Sequence, residues 1–277
     1  MSLASKDKFN VNCVYPTKTG GIEVFIPTSR PQGVSEQDFN SGKYDSVDYF
    51  QWLNRTRHVM GNVRPSNDMH FKKGILNLEA TGYFKFVNGI DDVAIKLRGG
   101  HHSGSKKDDS ARCYVFRVQG DGENNFAKEY PHDGGNGYSH HKIHTNIPIG
   151  KREELKGKWI GIKGIIWNNG NDDVRCECWV DQHGINDKGE FEPEIQKWEL
   201  WYELVDKDGK FGENNDKHKT KTVWTTLQKN STVQFRVDGE KKNMKYYAGD
   251  FDDENGNHHP ATFKFLSARE INESPHN

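Results

Sequence analysis

The sequence predicts an all-β protein built as an antiparallel sandwich. From residue 74 onward, short runs of alternating or β-rich residues recur, and Asn, Asp and Gly separate them. No helical periodicity lies between these runs, which is typical of strands joined by turns. Only 32% of the residues are hydrophobic, but 12% are Phe, Trp or Tyr, so large side chains are available for a core.

The expected strands follow one another along most of the chain after residue 74. They cover residues 75–86, 93–98, 112–118, 159–167, 174–180, 198–205, 232–237 and 261–267. Residues 1–70 mix turn residues with short apolar pieces and are interpreted as a loop-rich extension with about two strands, packed on a sandwich domain of residues 71–277. The pattern of residues 51–60 also fits a short helix.

Composition excludes some classes of function. A formal net charge of -1 argues against general nucleic-acid binding, which depends on an excess of Lys and Arg. No apolar run reaches the roughly 20 residues that a membrane-spanning helix needs. The four cysteines are too few for a disulfide-dense scaffold, so structural roles are expected, with a single Cys13–Cys113 bridge as an alternative.

The most diagnostic unit begins with the strand Gly157 to Asn168. A polar turn and a returning strand, Val174 to Asp181, follow it, and a third strand covers Lys197 to Leu204. This order resembles the concanavalin-A-like jelly-roll superfamily, in which a W-x-x-x-x-x-x-x-W/Y-N strand precedes a strand ending in W-x-D. Residues 263–271 are similar to the closing strand of such sandwiches. The resemblance implies a jelly-roll β-sandwich that acts on or binds carbohydrate, as lectins, glucanases and polysaccharide lyases do.

The candidate functional stretch is FAKEYPHDGGNGYSHHKIH, residues 126–144, which is rich in histidine and tyrosine. If its two ends are strands, alternation places Lys128, Tyr130 and His132 on one face. The same rule groups Tyr138, His140, Lys142 and His144. Side by side, the two faces would form a platform that donates hydrogen bonds, stacks on sugar rings and exchanges protons near neutral pH.

These residue types suit β-elimination on a uronate-containing glycan, which needs a carboxylate binder, a base and an acid. We assign Arg98 to the carboxylate, His132 or His140 to the proton abstraction, and Tyr130 or Tyr138 to the leaving group. The strand Tyr83-Phe84-Lys85-Phe86 is similar to the Y-F-K strand of alginate-lyase-like enzymes, although their R-x-E-L-R and Q-x-H strings do not occur. The expected substrate-binding residues are His101, His102, Lys128, Lys142, Tyr83 and Lys85.

Other interpretations of the same sequence stay open. A non-catalytic carbohydrate-binding module or lectin is the main alternative to a lyase. Retaining glucanases of this superfamily carry E-x-D-x-x-E or E-x-D-x-E, which does not occur here, so the pairs Glu177/Asp181 and Glu199/Glu203 are interpreted as structural charges. Alternation suggests that most tryptophans fill the space between the sheets, with one or two left for sugar stacking.

No cofactor is expected, except that loop carboxylates could hold a structural calcium ion. The candidate ligands are Asp206-x-Asp208-Gly209 and residues 250–256. A zinc site is a further alternative, drawn from His101, His102, His140, His141 and His144. The expected partner is a polysaccharide, which places the protein outside the cell or at its surface, although no apolar leader stretch opens this sequence. The oligomeric state is left open.

Overall fold

The structure is a computed structural model of the 277-residue chain. It describes residues 5–25, 44–47, 50–59, 62–71, 75–85, 92–99, 113–119, 125–129, 138–142, 149, 154–155, 157–168, 173–186, 188, 190–207, 210–211, 214–215, 232–238, 251–252, 258–259 and 263–272. The description is limited to the backbone for residues 5, 44–47, 50–59, 62–71, 92, 119, 125, 138–142, 214–215, 232, 236–238, 251–252 and 258–259.

Two antiparallel eight-stranded sheets form a sandwich, which confirms the predicted fold class. The first sheet has the strand order β11-β10-β9-β8-β17-β6-β5-β4. Its strands are β4 (Tyr44–Val47), β5 (Phe50–Val59), β6 (Asn62–Phe71), β8 (Asp92–Gly99), β9 (Cys113–Gln119), β10 (Asn125–Glu129), β11 (Tyr138–Lys142) and β17 (Thr232–Asp238).

The second sheet has the order β16-β15-β14-β13-β12-β7-β20-β3. Its strands are β3 (Glu23–Phe25), β7 (Leu78–Lys85), β12 (Trp159–Asn168), β13 (Val174–Asp181), β14 (Glu199–Lys207), β15 (Lys210–Phe211), β16 (Asn214–Asn215) and β20 (Phe263–Glu270). Two small ribbons pair β1 (Ser5–Lys6) with β2 (Asn12–Cys13), and β18 (Phe251–Asp252) with β19 (His258–His259). A 3₁₀ helix covers Pro193–Ile195.

The prediction of a short helix at residues 51–60 was wrong, because residues 51–59 belong to strand β5. It pairs antiparallel with β6 along its whole length, from Phe50 opposite Phe71 to Val59 opposite Asn62. Ten consecutive register pairs form an antiparallel ladder along the segment, whereas a helix of this length is only marginally stable on its own. The neighbouring strand therefore decides the structure. The chain before residue 72 contributes strands to both sheets, because β3 belongs to the second sheet and β4 to β6 belong to the first.

The main core lies between the two sheets. Alternate residues of the first sheet point into it, including Ile95 of β8, Phe116 of β9 and Phe235 of β17. From the second sheet, Phe84 and Ile162 meet them. We call these the inner faces, and the opposite sides the outer faces. Gly164 of β12 faces the first sheet without a side chain, and an added Cβ there would lie 3.0 Å from the Phe116 ring.

A second apolar layer covers the outer face of the second sheet. Residues 7–17, which we call the N-terminal strap, contribute to this layer, and so does the segment between β13 and β14. Four tryptophans lie there, and not between the sheets as expected, because the strap and segment give them a second buried environment: Trp159, Trp167, Trp179 and Trp198. Trp201 belongs to the core between the sheets.

All four cysteines are buried and free. The Cys13–Cys113 bridge considered from the sequence is not formed. Cys13 lies in the strap ribbon and its thiol contacts the Val11 carbonyl, whereas the Cys113 thiol donates to Glu129 Oε2 at 3.1 Å on the first sheet. Burial raises the pKa of the Cys13 thiol to about 11, which keeps it protonated and unreactive at neutral pH.

Candidate functional site

The histidine-rich stretch contains two paired strands, but their register does not create the expected platform. Lys128 of β10 lies opposite Ser139 of β11, and Ala127 lies opposite His140. Directly opposite positions share a face of a sheet. The position of Lys128 therefore belongs to the face opposite to that of positions 138, 140 and 142, since the pairing is offset by one residue from the arrangement that a common platform needs.

Several predicted site residues lie outside the described residues. These are His101, His102, Tyr130 and His132. Tyr138, His140 and Lys142 are placed by the backbone of β11, the edge strand of the first sheet.

Arg98 lies in the interior and not on an outer face. Its φ of 53° breaks the alternation of β8, in which Ile95 and Leu97 already face inward. The guanidinium donates to the Leu76 carbonyl and to Asn168 Oδ1, the latter at 2.8 Å. Burial lowers the pKa of Arg98. These contacts hold the end of β12 against β8, which is a structural arrangement.

Lys128 also points into the core, where it links the two sheets. Its Nζ lies 2.9 Å from Asp206 Oδ2 of β14, and both side chains are 1% exposed. Tyr114 donates to the same carboxylate at 2.5 Å. Asp206 was an expected calcium ligand, but its carboxylate is enclosed with this cation and phenol instead. The pair therefore satisfies its own charges inside the sandwich.

Tyr83 and Lys85 lie on the outer face of the second sheet. The Tyr83 hydroxyl donates to Asp181 Oδ2 at 2.6 Å, and burial, followed by the charge of Asp181, raises its pKa well above the ordinary value. Phe191 and Trp198 pack against the Tyr83 ring. Lys85 is half-buried, with its Nζ 6.0 Å from the centre of the Trp159 ring. Tyr83 is therefore covered, whereas Lys85 is partly open.

The two carboxylate pairs considered from the sequence have structural partners. Asp181 Oδ1 accepts hydrogen bonds from the backbone of His183 and Lys197, which fastens the segment between β13 and β14. Glu177 accepts from the Tyr15 hydroxyl at 2.8 Å and lies opposite Glu203 in register. Among the described side chains, no three His, Cys, Asp or Glu residues come together as a metal site.

The outer face of the first sheet carries a different polar group, which we call the Lys96–Glu129 pair. Lys96 Nζ of β8 lies 2.6 Å from Glu129 Oε2 of β10, and the two side chains are 4% and 0% exposed. Gln234 of β17 lies opposite Lys96 in register and is also buried. A buried ion pair of this kind has lost its hydration, so it is fixed in one geometry by mutual attraction.

Small side chains surround this pair. They form a separate cluster consisting of Ala94, Cys113, Val115 and Ala127. Such residues rise little above the sheet, and all four are at most 3% exposed, so they form a low, covered apolar floor beside the polar groups.

Arg117 borders the same floor. It lies opposite Ala94 in the pairing of β8 with β9, and it alternates with Phe116 and Val118, which face the core. Its side chain is half-buried, and its Nε is enclosed without a hydrogen-bond partner. The Nε atoms of Arg98 and Arg175 are enclosed in the same way, so this feature is not peculiar to Arg117.

The register brings β11 beside this face. Tyr138 lies opposite Glu129, His140 opposite Ala127, and Lys142 opposite Asn125. The backbone thus assigns the second predicted histidine and tyrosine group to the same side of the sheet as the Lys96–Glu129 pair.

Sequence reasoning missed Lys96, Glu129 and Arg117 as candidate residues. The signal was present, because Val93-Ala94-Ile95-Lys96-Leu97 and Cys113 to Val118 each alternate an apolar row with a row that holds one cation. Which strands lie next to each other, however, was not evident from alternation, so the two cations and the carboxylate could not be grouped.

No helix in the described part of the chain has the length and hydrophobicity needed to cross a bilayer.

Comparisons with known proteins find similarity at the level of architecture. No protein-family model matches the chain, and no curated protein matches it in sequence. The module CBM66 from Bacillus subtilis, a carbohydrate-binding module, is 11% identical with a TM-score of 0.34, over 82% of this chain and 95% of that one. The likeness is one of fold.

Two further solved structures are similar to the chain. A protein described as a glycosyl hydrolase, from Parabacteroides distasonis, is 11% identical with a TM-score of 0.33, over 78% of this chain and 83% of that one. A heptameric SAP-like pentraxin from Limulus polyphemus is 12% identical with a TM-score of 0.28, over 71% and 62%. The antiparallel sandwich itself rests on the strand pairing described above.

Proposed function

We propose that the protein is a polysaccharide-binding protein and that the outer face of the first sheet is its binding surface. The observation that carries the proposal is the register of β11, which sets the positions of Tyr138 and His140 on the outer face, above the buried Lys96–Glu129 pair. Sugar hydroxyls both donate and accept hydrogen bonds, so a tyrosine and a histidine on one face suit them.

The edge strand β11 supplies the groups that we expect to contact the glycan. Tyr138 and His140 lie opposite Glu129 and Ala127, so both positions adjoin the floor. A tyrosine ring stacks on a pyranose ring, and a histidine donates and accepts at neutral pH. The buried pair beneath them holds the neighbouring strands in register.

Binding is tested by affinity electrophoresis and calorimetry with a panel of neutral and acidic polysaccharides. Wild-type protein should bind at least one of them, and Tyr138→Ala and His140→Ala should each weaken binding about tenfold, the effect of one or two lost hydrogen bonds or a lost stacking contact. His183→Ala is the matched control, because His183 is an exposed histidine on the segment that covers the other sheet. Equal binding by all three variants would overturn the proposed surface.

A second candidate function is a β-eliminating lyase that acts on a uronate-containing glycan. One observation favours it: the register sets Tyr138 and His140 on the side of the sheet that also carries Lys96 and Arg117. In this version a cation neutralises the uronate carboxylate, His140 takes the C5 proton, and Tyr138 protonates the leaving oxygen. The C4–O bond breaks as a C4–C5 double bond forms.

The lyase is distinguished from the binding protein by its product. Unsaturated uronates absorb in the ultraviolet, so incubation with polyuronates should give rising absorbance. His140→Ala and Tyr138→Phe should abolish this rise even at polymer concentrations high enough to saturate their weakened binding. A constant absorbance with bound glycan would reject the lyase and leave the binding protein.

A further inference from the structure

The N-terminal strap is part of a hairpin that has its own hydrogen bonds. β1 pairs with β2, and the turn between them is closed by the Asp7 carboxylate, which accepts two backbone N–H groups at 2.8 and 3.0 Å. Among the described residues, strand-type pairing of the strap with the second sheet is limited to one isolated bridge at Thr17. An exposed turn follows, with Gly20 at a φ of 69°. The strap can therefore move on this turn without breaking a β-ladder.

Tyr15 attaches the strap to the sheet in the way that a bound ligand would. Its hydroxyl donates to Glu177 at 2.8 Å, and its ring meets the Trp167 ring edge-on, with the ring centres 5.5 Å apart. Its backbone N–H donates to Glu79 Oε2 at 3.2 Å, and its carbonyl accepts from Arg269. One residue of the strap thus contacts a tryptophan, two carboxylates and a guanidinium.

The charged groups that hold Tyr15 form one row across the second sheet. Glu177 of β13 and Glu79 of β7 each lie opposite Ile165 of β12 in register. Arg269 of β20 lies opposite Glu79. Because directly opposite residues share a face, these four residues, which we call the outer row, span three strand spacings, roughly 14 Å. This length suits a short extended polymer.

The outer row has partners of its own besides the strap. Glu79 is held by Arg269 at 2.7 Å and by Lys163 at 3.3 Å, and both cations belong to the sheet. Trp179 donates to Glu177 at 2.9 Å. Ions recover their hydration when they are uncovered, so exposing this row costs less free energy than exposing an apolar face of equal area. The outer row is therefore a preformed polar site that the strap occupies.

We propose that Tyr15 occupies a sugar-binding subsite, and that the N-terminal strap is an internal cover of a second polysaccharide site on the outer face of the second sheet. The ligand class rests on the proposed function, whereas the site is separate from the one on the first sheet. A pyranose ring can replace the Tyr15 ring against Trp167, while its hydroxyls donate to the two carboxylates and accept from the guanidinium. The strap and the polysaccharide then compete for the outer row.

The experiment compares full-length wild-type protein with Tyr15→Ala by calorimetry, using short oligosaccharides built from glucose, mannose, xylose or uronic acid units. A covered site lowers the apparent affinity by the fraction of molecules in which it is open. Because Tyr15→Ala loosens the strap and empties the subsite, it should bind at least one oligosaccharide about tenfold or more tightly than wild type. Melting temperatures establish that each variant is folded.

Tyr83→Ala is the matched control for this gain. It removes another buried tyrosine from the same apolar layer, but the Tyr83 hydroxyl donates to Asp181 of the sheet and not to the outer row. Tyr83→Ala should therefore leave the affinity for oligosaccharides at the wild-type value. An equal gain in both variants would show a general loosening of the layer and would reject the subsite.

Two further measurements locate the gain at the outer row. Glu177→Gln, made in the Tyr15→Ala chain, replaces a charged acceptor by a neutral one and should weaken oligosaccharide binding about fivefold. A free peptide with the sequence of residues 7–17 should displace the oligosaccharide from Tyr15→Ala, because both occupy the same row. A variant that binds this peptide but no oligosaccharide would make the row a peptide site and reject the sugar.

Wild-type protein supplies a test that does not depend on a destabilising variant. Trypsin cleaves after Lys18 and after Lys158, and in both cases the lysine N–H is hydrogen-bonded to a backbone carbonyl at 2.9 Å. Cleavage follows the population of locally opened molecules. Saturating oligosaccharide should therefore speed cleavage after Lys18, which ends the strap, and leave cleavage after Lys158 unchanged. Slower or unchanged cleavage after Lys18 with bound oligosaccharide would overturn the proposal.

The outcomes separate this inference from the proposed function. If wild-type protein binds a glycan through Tyr138 and His140, and a folded Tyr15→Ala binds no more tightly, the proposed function stands and the covered site is rejected. If Tyr15→Ala binds and the variants of Tyr138 and His140 change nothing, the covered site stands and the surface on the first sheet is rejected. Absence of binding by every protein would reject both.

Discussion

Buried charged residues in this protein are explained by their partners. Lys128 has a residue type and position that suggest a substrate contact, but the structure pairs it with Asp206 in the core between the sheets. Arg98 is similarly enclosed, with Asn168 as a partner. The sequence shows that these side chains are charged, but it does not show that each of them contacts an acceptor on the other sheet.

Replacing Lys128 by Met should destabilise the fold strongly. The Asp206 carboxylate would remain in the core beside the Tyr114 hydroxyl but without its lysine, and removing one partner of a buried ion pair costs about 3–5 kcal/mol. Urea denaturation measures the change. The control is Lys18→Met, which breaks the more exposed Lys18–Glu270 pair and should cost less than about 1 kcal/mol. Similar losses for the two variants would contradict the assignment of Lys128 to the core.

At the scale of an element, two carboxylates attach the N-terminal strap to the second sheet, and their pKa values are shifted in opposite directions. Glu79 Oε2 accepts from the backbone of Val14 and Tyr15 at 3.2 Å each, and Arg269 donates to it at 2.7 Å. Burial alone would raise the pKa of Glu79, but the charges of Lys163 and Arg269 outweigh burial and lower it. Burial raises the pKa of Glu177, although Trp179 and Tyr15 donate to its carboxylate.

The two carboxylates should therefore respond to pH with opposite signs. Because its folded pKa is lowered, Glu79 contributes stability above its unfolded pKa and loses it as pH falls through the folded value. Glu79→Gln should thus be much less stable than wild type at pH 7, since Lys163 and Arg269 lose their partner, and the difference should shrink in acid.

For Glu177 the folded pKa is raised, so its contribution is present below the unfolded pKa and is lost as pH rises through the folded value. Glu177→Gln resembles the protonated form and should be at least as stable as wild type at pH 7, with the difference vanishing in acid. Thermal denaturation of both variants between pH 3 and pH 8 tests the pair. A destabilised Glu177→Gln at pH 7 would contradict this account of its pKa.

At the scale of the whole molecule, the core between the sheets packs a glycine of one sheet against large side chains of the other. Gly164 faces Phe116 and Leu97 across the core, and an added Cβ would lie 3.0 Å from one and 3.3 Å from the other. The absence of a side chain on β12 therefore lets the Phe116 ring fill the space.

Gly164→Val should destabilise the sandwich by about 1–3 kcal/mol, because the added methyl groups overfill the core. Phe116→Leu in the same chain frees space. The double variant should therefore lose less stability than the sum of the two single variants, by about 0.5 kcal/mol or more, the usual scale for residues in contact. Denaturation of all four proteins completes the cycle. Strict additivity would show that the two residues do not meet.

The sequence alone determined the class of this fold and eight of its longer strands. Alternation and turn residues predicted strands near β7, β8, β9, β12, β13, β14, β17 and β20, since period-two burial and turn chemistry are local properties. In the structure the same alternation holds along β9, where Phe116 faces the core and Arg117 lies on the outer face.

Tertiary structure decided everything that depends on which strands are neighbours. The residues 51–60 became a strand because β6 pairs with them, and the predicted platform was divided between two faces by the register of β10 and β11. Lys96 and Glu129 are 33 positions apart in the chain, yet the order β10-β9-β8 brings them within 2.6 Å. Pairing of distant strands is a long-range property, so no local pattern could have specified this site.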